Sequence, residues 1–378
     1  MKKFLILAGE ESGLAYAKAL ERELAAAAGA EMVEFRGYQS EGFQTGDLAV
    51  MGFWAVLKKL FFFLGVRRAM KRVVREWRPD AVVSVDYPGL NLQLDAYAKS
   101  LGIPAVHLVC PQVWAWHRER IPKIAKSLTK LLCFLPFEPE LFDGTGLDAK
   151  FIGHPMADMF REEAASSAGE AAHGSGEKVV AVLPGSRTGE ISRILPRLLK
   201  ALEVLGRMRE ERGGPAFRAV VPAANEKALE AVKAALAGSD VPVEVRLGGA
   251  RDLLRRASCA AVASGTATLE AALAGCPTVL VYAVSPLLAW FARRVIKGTR
   301  HIGLANVIAA RSGLNPPMPE LLQEDFTPEA VARLLYDFLS DGKARDDAVA
   351  ALGLAMSKLE TSGRALAIAA QEVVSCLG

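Results

Sequence analysis

An α/β protein of two successive parallel-sheet domains is what the sequence predicts, and three observations carry that expectation. Short apolar runs alternate with helix-length amphipathic stretches along most of the 378 residues. Near-continuous hydrophobicity suits parallel strands buried on both faces, and the intervening helical stretches imply βαβ crossovers. The series occurs twice, on either side of the small, polar segment 161–178, which reads as a linker or mobile loop. A chain this long also exceeds one simple core, and its 51% apolar and 23% charged residues exclude a disordered chain.

In the first half the strand candidates are 4–7, 81–85, 104–109 and 131–135, each bounded by Pro, Gly or polar residues. The N-terminal MKKFLIL imitates a signal peptide only faintly. Its apolar run is about five residues, short of the ~7–15 of such a segment, and it ends in a glycine turn. It reads as the first strand of a cytoplasmic protein. In the second half the candidates are 179–183, 217–221, 243–247, 260–263 and 278–282, separated by helical runs such as 225–238. No tandem repeat is visible, and from Thr327 onward the chain reads as helical. The expected organisation is a Rossmann-like domain at 1–160, a second at 161–340, and helices at 341–378 packing back across the junction. Ligands are expected in a cleft between the domains, at the strand carboxyl ends.

Net charge is only +4, but positive charge is concentrated in 54–78, 117–130 and 292–301. Such clusters favour an anionic partner, either phosphate or a membrane surface. The five cysteines, Cys110, Cys133, Cys259, Cys276 and Cys376, show no Cys-x-x-Cys pair. They read as buried reduced thiols in preference to disulfides or metal ligands.

The chemistry-bearing motifs follow strand candidates. In VVAVLPGSRTGEI (179–191) the strand breaks at Pro184-Gly185 and continues with Ser186, Arg187 and Glu190. Gly185 lets backbone N–H groups approach an anion, and Arg187 offers a bidentate clamp for phosphate. A tight turn with a surface arginine is the plainer reading. In 260–282 a strand ends at Ser264-Gly265, and Thr266-Ala267-Thr268 opens a helix, aiming its positive end at a diphosphate. Glu270, one turn in, suits ribose hydroxyls. The same residues serve equally as a capping arrangement, with Ser264 or Thr266 at the N-cap. Residues 7–20 repeat the pattern of strand, Gly9, Ser12-Gly13 and helix, a weak signal by itself. Glu10 and Glu11 there would repel a phosphate. Asp86, just past 81–85 and before Tyr87-Pro88-Gly89, is either a general base at a strand's end or a turn residue.

Together these segments resemble the lipid-A-disaccharide synthase family, glycosyltransferases with two Rossmann-like domains facing a central cleft (the GT-B type). The likeness runs nearly end to end, through AGEESG, LAVMGFWAVL, RPDAVVSVDYPGLN, CPQVWAWHRERI, FLPFE, FIGHPMAD, LPGSR, SGTATLE, LANVIAAR and PELLQEDFTPEAV. The Trp114-Ala115-Trp116 segment with its basic tail and Gly153-His154-Pro155 are its most specific marks. The resemblance implies transfer of 2,3-diacylglucosamine from its UDP derivative to 2,3-diacylglucosamine 1-phosphate, with inversion, without cofactor or metal. It implies Ser186, Arg187, Ser264, Gly265, Thr266 and Ala267 at the diphosphate, Glu270 on the ribose and Asn306 lining the nucleotide pocket. Asp86 would be the base, and Gly9, Glu10, Ser12 and Gly13 a glycine turn near substrate. Partners would be the two lipid substrates and the inner-membrane surface, with no nucleic acid; a homodimer is compatible with it.

Two departures concern the first domain. The family's motif Gly-Glu-x-Ser-Gly-Asp ends here in Leu14, and the segment 35–52 is shortened, lacking a Gly-Pro-x-Met portion. The rivals are a transferase with another acceptor or a UDP-sugar epimerase of the same fold, and a lipid-binding protein with a decayed nucleotide site.

Residues 54–78 hold eight Lys and Arg against one Glu around the apolar run Leu60–Val66. Seven residues fall far short of the ~20 that span a bilayer. Trp54, Leu57, Leu60, Phe61 and Leu64 recur at helical spacing and suit a core face. Phe62 then falls between Lys58 and Lys59, on the polar side, which suits a helix lying in a membrane interface. The expected membrane contacts are Trp54, Leu57, Lys58, Lys59, Phe61, Phe62, Phe63, Arg67 and Arg68, extended by Trp77 and 287–297, on a cytoplasmic enzyme resting peripherally on the inner membrane.

Overall fold

The computed structural model describes the chain except residues 30–31, 45–47, 49–59, 167–177, 286–288, 291–293, 296–297 and 378, and the side chains of Ser12 and Leu60. It divides into two units, Met1–Asp158 with Leu359–Gly378, and Met159–Lys358.

The first unit is a six-stranded parallel sheet in the order β2-β1-β3-β4-β5-β6. Its strands are β1 (Lys2–Ala8), β2 (Val33–Gly37), β3 (Ala81–Val85), β4 (Ala105–Leu108), β5 (Lys130–Cys133) and β6 (Asp148–Phe151). The helices between them are α1 (Glu11–Ala27), α2 (Leu60–Trp77), α3 (Pro88–Ser100) and α4 (Ile121–Ser127), followed by α5 (Pro155–Ser166), within which the division falls. The two-residue period of β1 sorts its side chains. Phe4, Ile6 and Ala8 pack with Ala17, Leu20 and Leu24 of α1, whereas Leu5 and Leu7 pack with α2 and α3. Both faces are covered, as parallel sheets require.

The second unit repeats the plan in the order β12-β11-β10-β7-β8-β9. Its strands are β7 (Lys178–Leu183), β8 (Phe217–Ala223), β9 (Val243–Leu247), β10 (Cys259–Ala263), β11 (Thr278–Tyr282) and β12 (Glu320–Leu322). Its helices are α6 (Thr188–Arg212), α7 (Glu226–Leu236), α8 (Ala250–Arg256), α9 (Thr266–Leu273), α10 (Leu304–Arg311), α11 (Pro328–Ser340) and α12 (Gly342–Met356). One face is closed by α6 and α11, and α9 packs instead with α8, α10 and α12.

Three strands were not expected from the sequence, namely β2, β6 and β12. All three are sheet edges without a single fully buried residue, so none carries a continuous apolar run.

The final helix, α13 (Ala365–Val374), belongs to the first unit. Ala369, Ala370 and Val373 complete the α1 side of its core. The Asp158 carboxylate accepts from Ala365 N at 2.6 Å at the start of α13, and Arg364 pairs with Glu23 at 2.7 Å. Glu372 receives Lys130 Nζ at 2.5 Å and also pairs with Lys150.

Helix α2 corrects the expected phase. Val66, Met70, Val73 and Val74 are buried, and Phe62, Phe63 and Trp77 pack against the same cluster. Phe62 meets Phe43 and Phe63 edge-on, so it lies inward and not on the polar side. Phe61 is 85% exposed, which excludes it from the core face that the helical spacing also allowed. The buried Val66, Met70, Val73 and Val74 set the phase, and counting from Trp54 misjudged it. Trp77 is half-buried under Arg36, 4.8 Å from its ring, and does not extend an apolar surface. Trp54, Leu57, Lys58 and Lys59 lie outside the described residues. No described helix is long and apolar enough to cross a membrane.

His154 follows the sharp turn at Gly153. It is buried, its Nδ1 accepts from Met156 N at 3.1 Å, and burial holds its pKa down at about 4. Unfolded, the ring titrates near pH ~6.5, so the unfolded chain takes up a proton that the folded one refuses. Stability present above that pH is therefore lost as pH falls from about 6.5 towards 4, by roughly 3 kcal/mol. Urea unfolding across this window should show a correspondingly smaller loss for His154→Gln.

Candidate active site

A parallel sheet wound in both directions has one pair of neighbouring strands whose following helices leave to opposite faces. The crevice beyond their carboxyl ends is where ligands bind in such sheets. In the first unit that pair is β1 and β3, because α1 and α3 pack on opposite faces. In the second it is β7 and β10. The four strand-end motifs, at 7–20, 84–91, 179–191 and 260–282, follow these four strands.

In the first unit Ala8 lies opposite Val85, so the Gly9 turn and Asp86 emerge side by side. Gly9 must be glycine, since a Cβ there would meet the Tyr87 ring at 2.5 Å. The Tyr87 hydroxyl donates to Leu48 O at 2.9 Å, and its pKa is raised by burial and then by the charge of Glu10. Beneath them Asn91, fully buried on α3, joins the two strand ends. Its Nδ2 donates to Leu7 O at 3.1 Å and Asp86 O at 2.7 Å, and its Oδ1 accepts from the buried Tyr38 hydroxyl at 2.6 Å. Leu14, which stands where the family motif ends in Asp, packs against the α1 side of the core.

Asp86, Pro88, Val109, Gln112, Trp116 and Arg120 are among the residues lining a cavity of about 180 Å³. Six non-glycine residues among those described have positive φ, and four of them, Asp86, Tyr87, Val109 and His117, lie at or next to this cavity. Val109, at φ 72°, is β-branched and therefore strained. Strain of this kind, about 1–3 kcal/mol a residue, persists where the surroundings fix the backbone and gathers at functional sites. Trp114 is buried and donates to Glu138 at 3.2 Å, leaving Trp116 as the exposed member of the pair. Asp86 caps no helix, because α3 starts from Tyr87 without a side-chain cap.

Three of the described histidines lie beside carboxylates. His107 is fully buried against Asp95, 2.9 Å away, and Asp95 also accepts from Ser84 at 2.5 Å. Burial raises the Asp95 pKa, against the opposing pull of His107 and Ser84. His117 pairs with Glu119 at 2.6 Å, and His301 lies 3.7 Å from Glu320.

In the second unit Leu183 lies opposite Val262, so the turns at 184–187 and 264–265 leave adjacent strand ends. Gly185 has φ 111°, and a Cβ there would meet the Glu190 carboxylate at 2.7 Å. Ser186 and Arg187 are exposed, and Arg187 Nη1 rests on Glu190 Oε1 at 3.0 Å. Helices α6 and α9 begin without a side-chain cap, so the capping reading of Ser264 and Thr266 does not hold. Asn225, Thr327 and Asp341, by contrast, do cap α7, α11 and α12. Uncapped first-turn N–H groups with a positive dipole end make an anion site. Glu270 is fixed by Arg251 Nε at 3.1 Å, a partner the sequence did not reveal.

Asn306 is a correction. It is fully buried, donating to Met318 O and Glu320 Oε1 and accepting from Met318 N, all within 2.9 Å. It fixes the segment entering β12, and its side chain is turned inward.

The chain matches the Lipid-A-disaccharide synthetase family model over residues 4–373. It belongs to the lipid-A-disaccharide synthase family. Relatives bearing that name include one from Trichlorobacter lovleyi, 34% identical over 89% of this chain and 88% of its own. Another, from Pseudomonas putida, is 35% identical over 90% of this chain and 91% of its own. Among solved structures the fold is similar to MurG of Acinetobacter baumannii, with TM-score 0.57, 16% identity, and 99% of each chain covered. It is also similar to a UDP-GlcNAc 2-epimerase from Neisseria meningitidis bound to UDP-GlcNAc, with TM-score 0.52, 10% identity, and 92% and 98% covered. These likenesses show the GT-B fold alone. Membership of the synthase family makes the chain a glycosyltransferase of lipid A biosynthesis and does not favour the epimerase alternative.

The Asn91 joint yields a prediction. Asn91→Leu keeps the volume but leaves the Tyr38 hydroxyl and two carbonyls unpaired. Chemical denaturation should record a loss of roughly 3 kcal/mol, accompanied by lower turnover as the Asp86–Tyr87 turn relaxes.

Proposed function

We propose that the chain transfers 2,3-diacylglucosamine from its UDP derivative to the 6-hydroxyl of 2,3-diacylglucosamine 1-phosphate, releasing UDP and the β-1,6-linked disaccharide 1-phosphate. The observation that carries this reading is the pairing of chemistry with switch points: a carboxylate at one, uncapped helix N-termini with an arginine at the other.

Asp86 accepts the 6-hydroxyl proton as that oxygen attacks the anomeric carbon, and the bond to the diphosphate breaks on the opposite side, inverting the centre. Arg120 at the same cavity supplies positive charge for the acceptor's 1-phosphate. At the donor, the Ser264–Ala267 turn and Ser186 offer hydrogen bonds to the departing diphosphate, and Arg187 exchanges Glu190 for it. Charge developing on the leaving group thus meets donors already oriented, and the reaction needs no cofactor or catalytic metal. Glu270, oriented by Arg251, takes the ribose hydroxyls. The Gly9–Gly13 turn borders the acceptor beside Asp86.

We further propose that α2 rests on the cytoplasmic surface of the inner membrane, where acyl chains of both substrates reside. Arg67, Arg68, Lys71, Arg72 and Arg75 line a groove of about 600 Å³ with no acidic residue among its described lining. The neighbouring Phe61 side chain is free to enter the acyl boundary.

Purified protein incubated with both substrates should give the disaccharide 1-phosphate by mass spectrometry, and no product at any acyl length would refute the reading. Asp86→Asn should lower turnover roughly 10²–10⁴-fold, the usual range for a general base, with UDP affinity kept by calorimetry. Phe61→Ser should weaken co-sedimentation with phosphatidylglycerol vesicles by about tenfold or more, as loss of a buried aromatic implies. Unchanged vesicle binding would remove Phe61 from the contact.

A further inference from the structure

Cys110 and Cys133, distant in sequence, come together behind the Asp86 cavity. Cys133 ends β5, and Cys110 lies two residues past the end of β4, the neighbouring strand. Their Sγ atoms and a carboxylate oxygen of Glu138 lie within 4.8 Å of one another, and all three residues are buried. Glu138 is 3% exposed in an apolar setting, and among the described residues no Lys or Arg pairs with it. An acid so buried calls for compensating positive charge.

We propose that Cys110, Cys133 and Glu138 form a binding site for a thiophilic divalent cation of the zinc class. Two sulfurs and one oxygen are a donor set that zinc accepts, whereas calcium and magnesium require oxygen ligands. The carboxylate is already oriented, because Oε1 accepts from Trp114 Nε1 at 3.2 Å and Oε2 from Leu135 N at 3.1 Å. Outer hydrogen bonds of this kind fix metal-binding carboxylates. The carboxylate retains a lone pair for the ion. A disulfide would use the two sulfurs and leave the oriented Glu138 unexplained.

Three protein donors leave one tetrahedral position, filled by water in such sites. The entry path is the cavity, since Cys110 also lines it. Bound there, the ion ties the end of β5 and the Leu135–Glu138 turn to the segment that carries Gln112, Trp116 and Arg120. It is a structural clamp, separate from the sugar transfer proposed above.

The test uses the full chain, reduced, stripped with a chelator and titrated with cobalt(II) alone. Uptake of about one ion per chain, with a thiolate-to-metal charge-transfer band and tetrahedral visible bands, is the expected result. Cys110→Ser and Cys133→Ser should each abolish the charge-transfer band, and Glu138→Gln should keep a weakened band with altered visible bands. Added zinc should raise the Tm of the wild type but not of Cys133→Ala, with far-ultraviolet circular dichroism reporting whether the variant folds. A folded wild type that binds no cobalt, or a band that survives both serine variants, overturns the site. So does recovery of a Cys110–Cys133 disulfide from zinc-containing buffer. Should the serine variants not fold, alkylation protection decides: zinc that fails to slow labelling of Cys110 and Cys133 relative to Cys259 and Cys276 overturns the site.

Discussion

A sheet whose strands all run one way must send its helices across one face or the other, and where the choice reverses, two neighbouring strands end beside an open crevice. The rest of this molecule depends on that constraint. In the first unit the crevice sits beyond β1 and β3, and Asn91 joins their ends by donating to a carbonyl from each side. Because Asn91 also holds the Tyr38 hydroxyl, the region after β2 is tied into the same joint. Asp86 and Tyr87 can keep their left-handed backbone only while such contacts over-determine it. The Gly9 turn then fits only because glycine leaves room for the Tyr87 ring.

The second unit obeys the same rule with other chemistry. The acids at its crevice between β7 and β10, Glu190 and Glu270, are each held by an arginine. Two helices begin there without side-chain caps, beside an exposed arginine. In the proposed reaction one architecture thus holds a proton acceptor in one unit and an anion receptor in the other. The difference lies in a few residues at strand ends, which is why the fold alone, shared with an epimerase, does not decide the reaction.

Central strands were legible in the sequence because burial on both faces demands an unbroken apolar run, as in Ala81–Val85. The edge strand Asp148–Phe151 was not, since it buries no residue fully and its alternation resembles a loop. The Gly9, Gly185 and Ser264–Gly265 turns were visible because each interrupts an apolar strand. Arg251 and Asn91 were invisible as site residues: Glu270, Leu7 and Tyr38 are 19 to 84 residues away, and no local pattern announces a tertiary hydrogen bond. Asn306 was misjudged for the converse reason, a polar residue in a recognised motif whose hydrogen bonds all turn inward. The pairing of Cys110 with Cys133 likewise arises from strand adjacency and not from spacing.

The return of the chain to its first unit has a consequence for the order of events during synthesis. Ala369, Ala370 and Val373 close the α1 side of the first core, yet they are translated after the whole of the second unit. As the first unit emerges from the ribosome, one face of its sheet is therefore left partly uncovered, with apolar groups of β1 and α1 open to water. The second unit has every strand and helix it needs before those residues appear. The amino-terminal core is thus complete only once the last helix of the chain has been made.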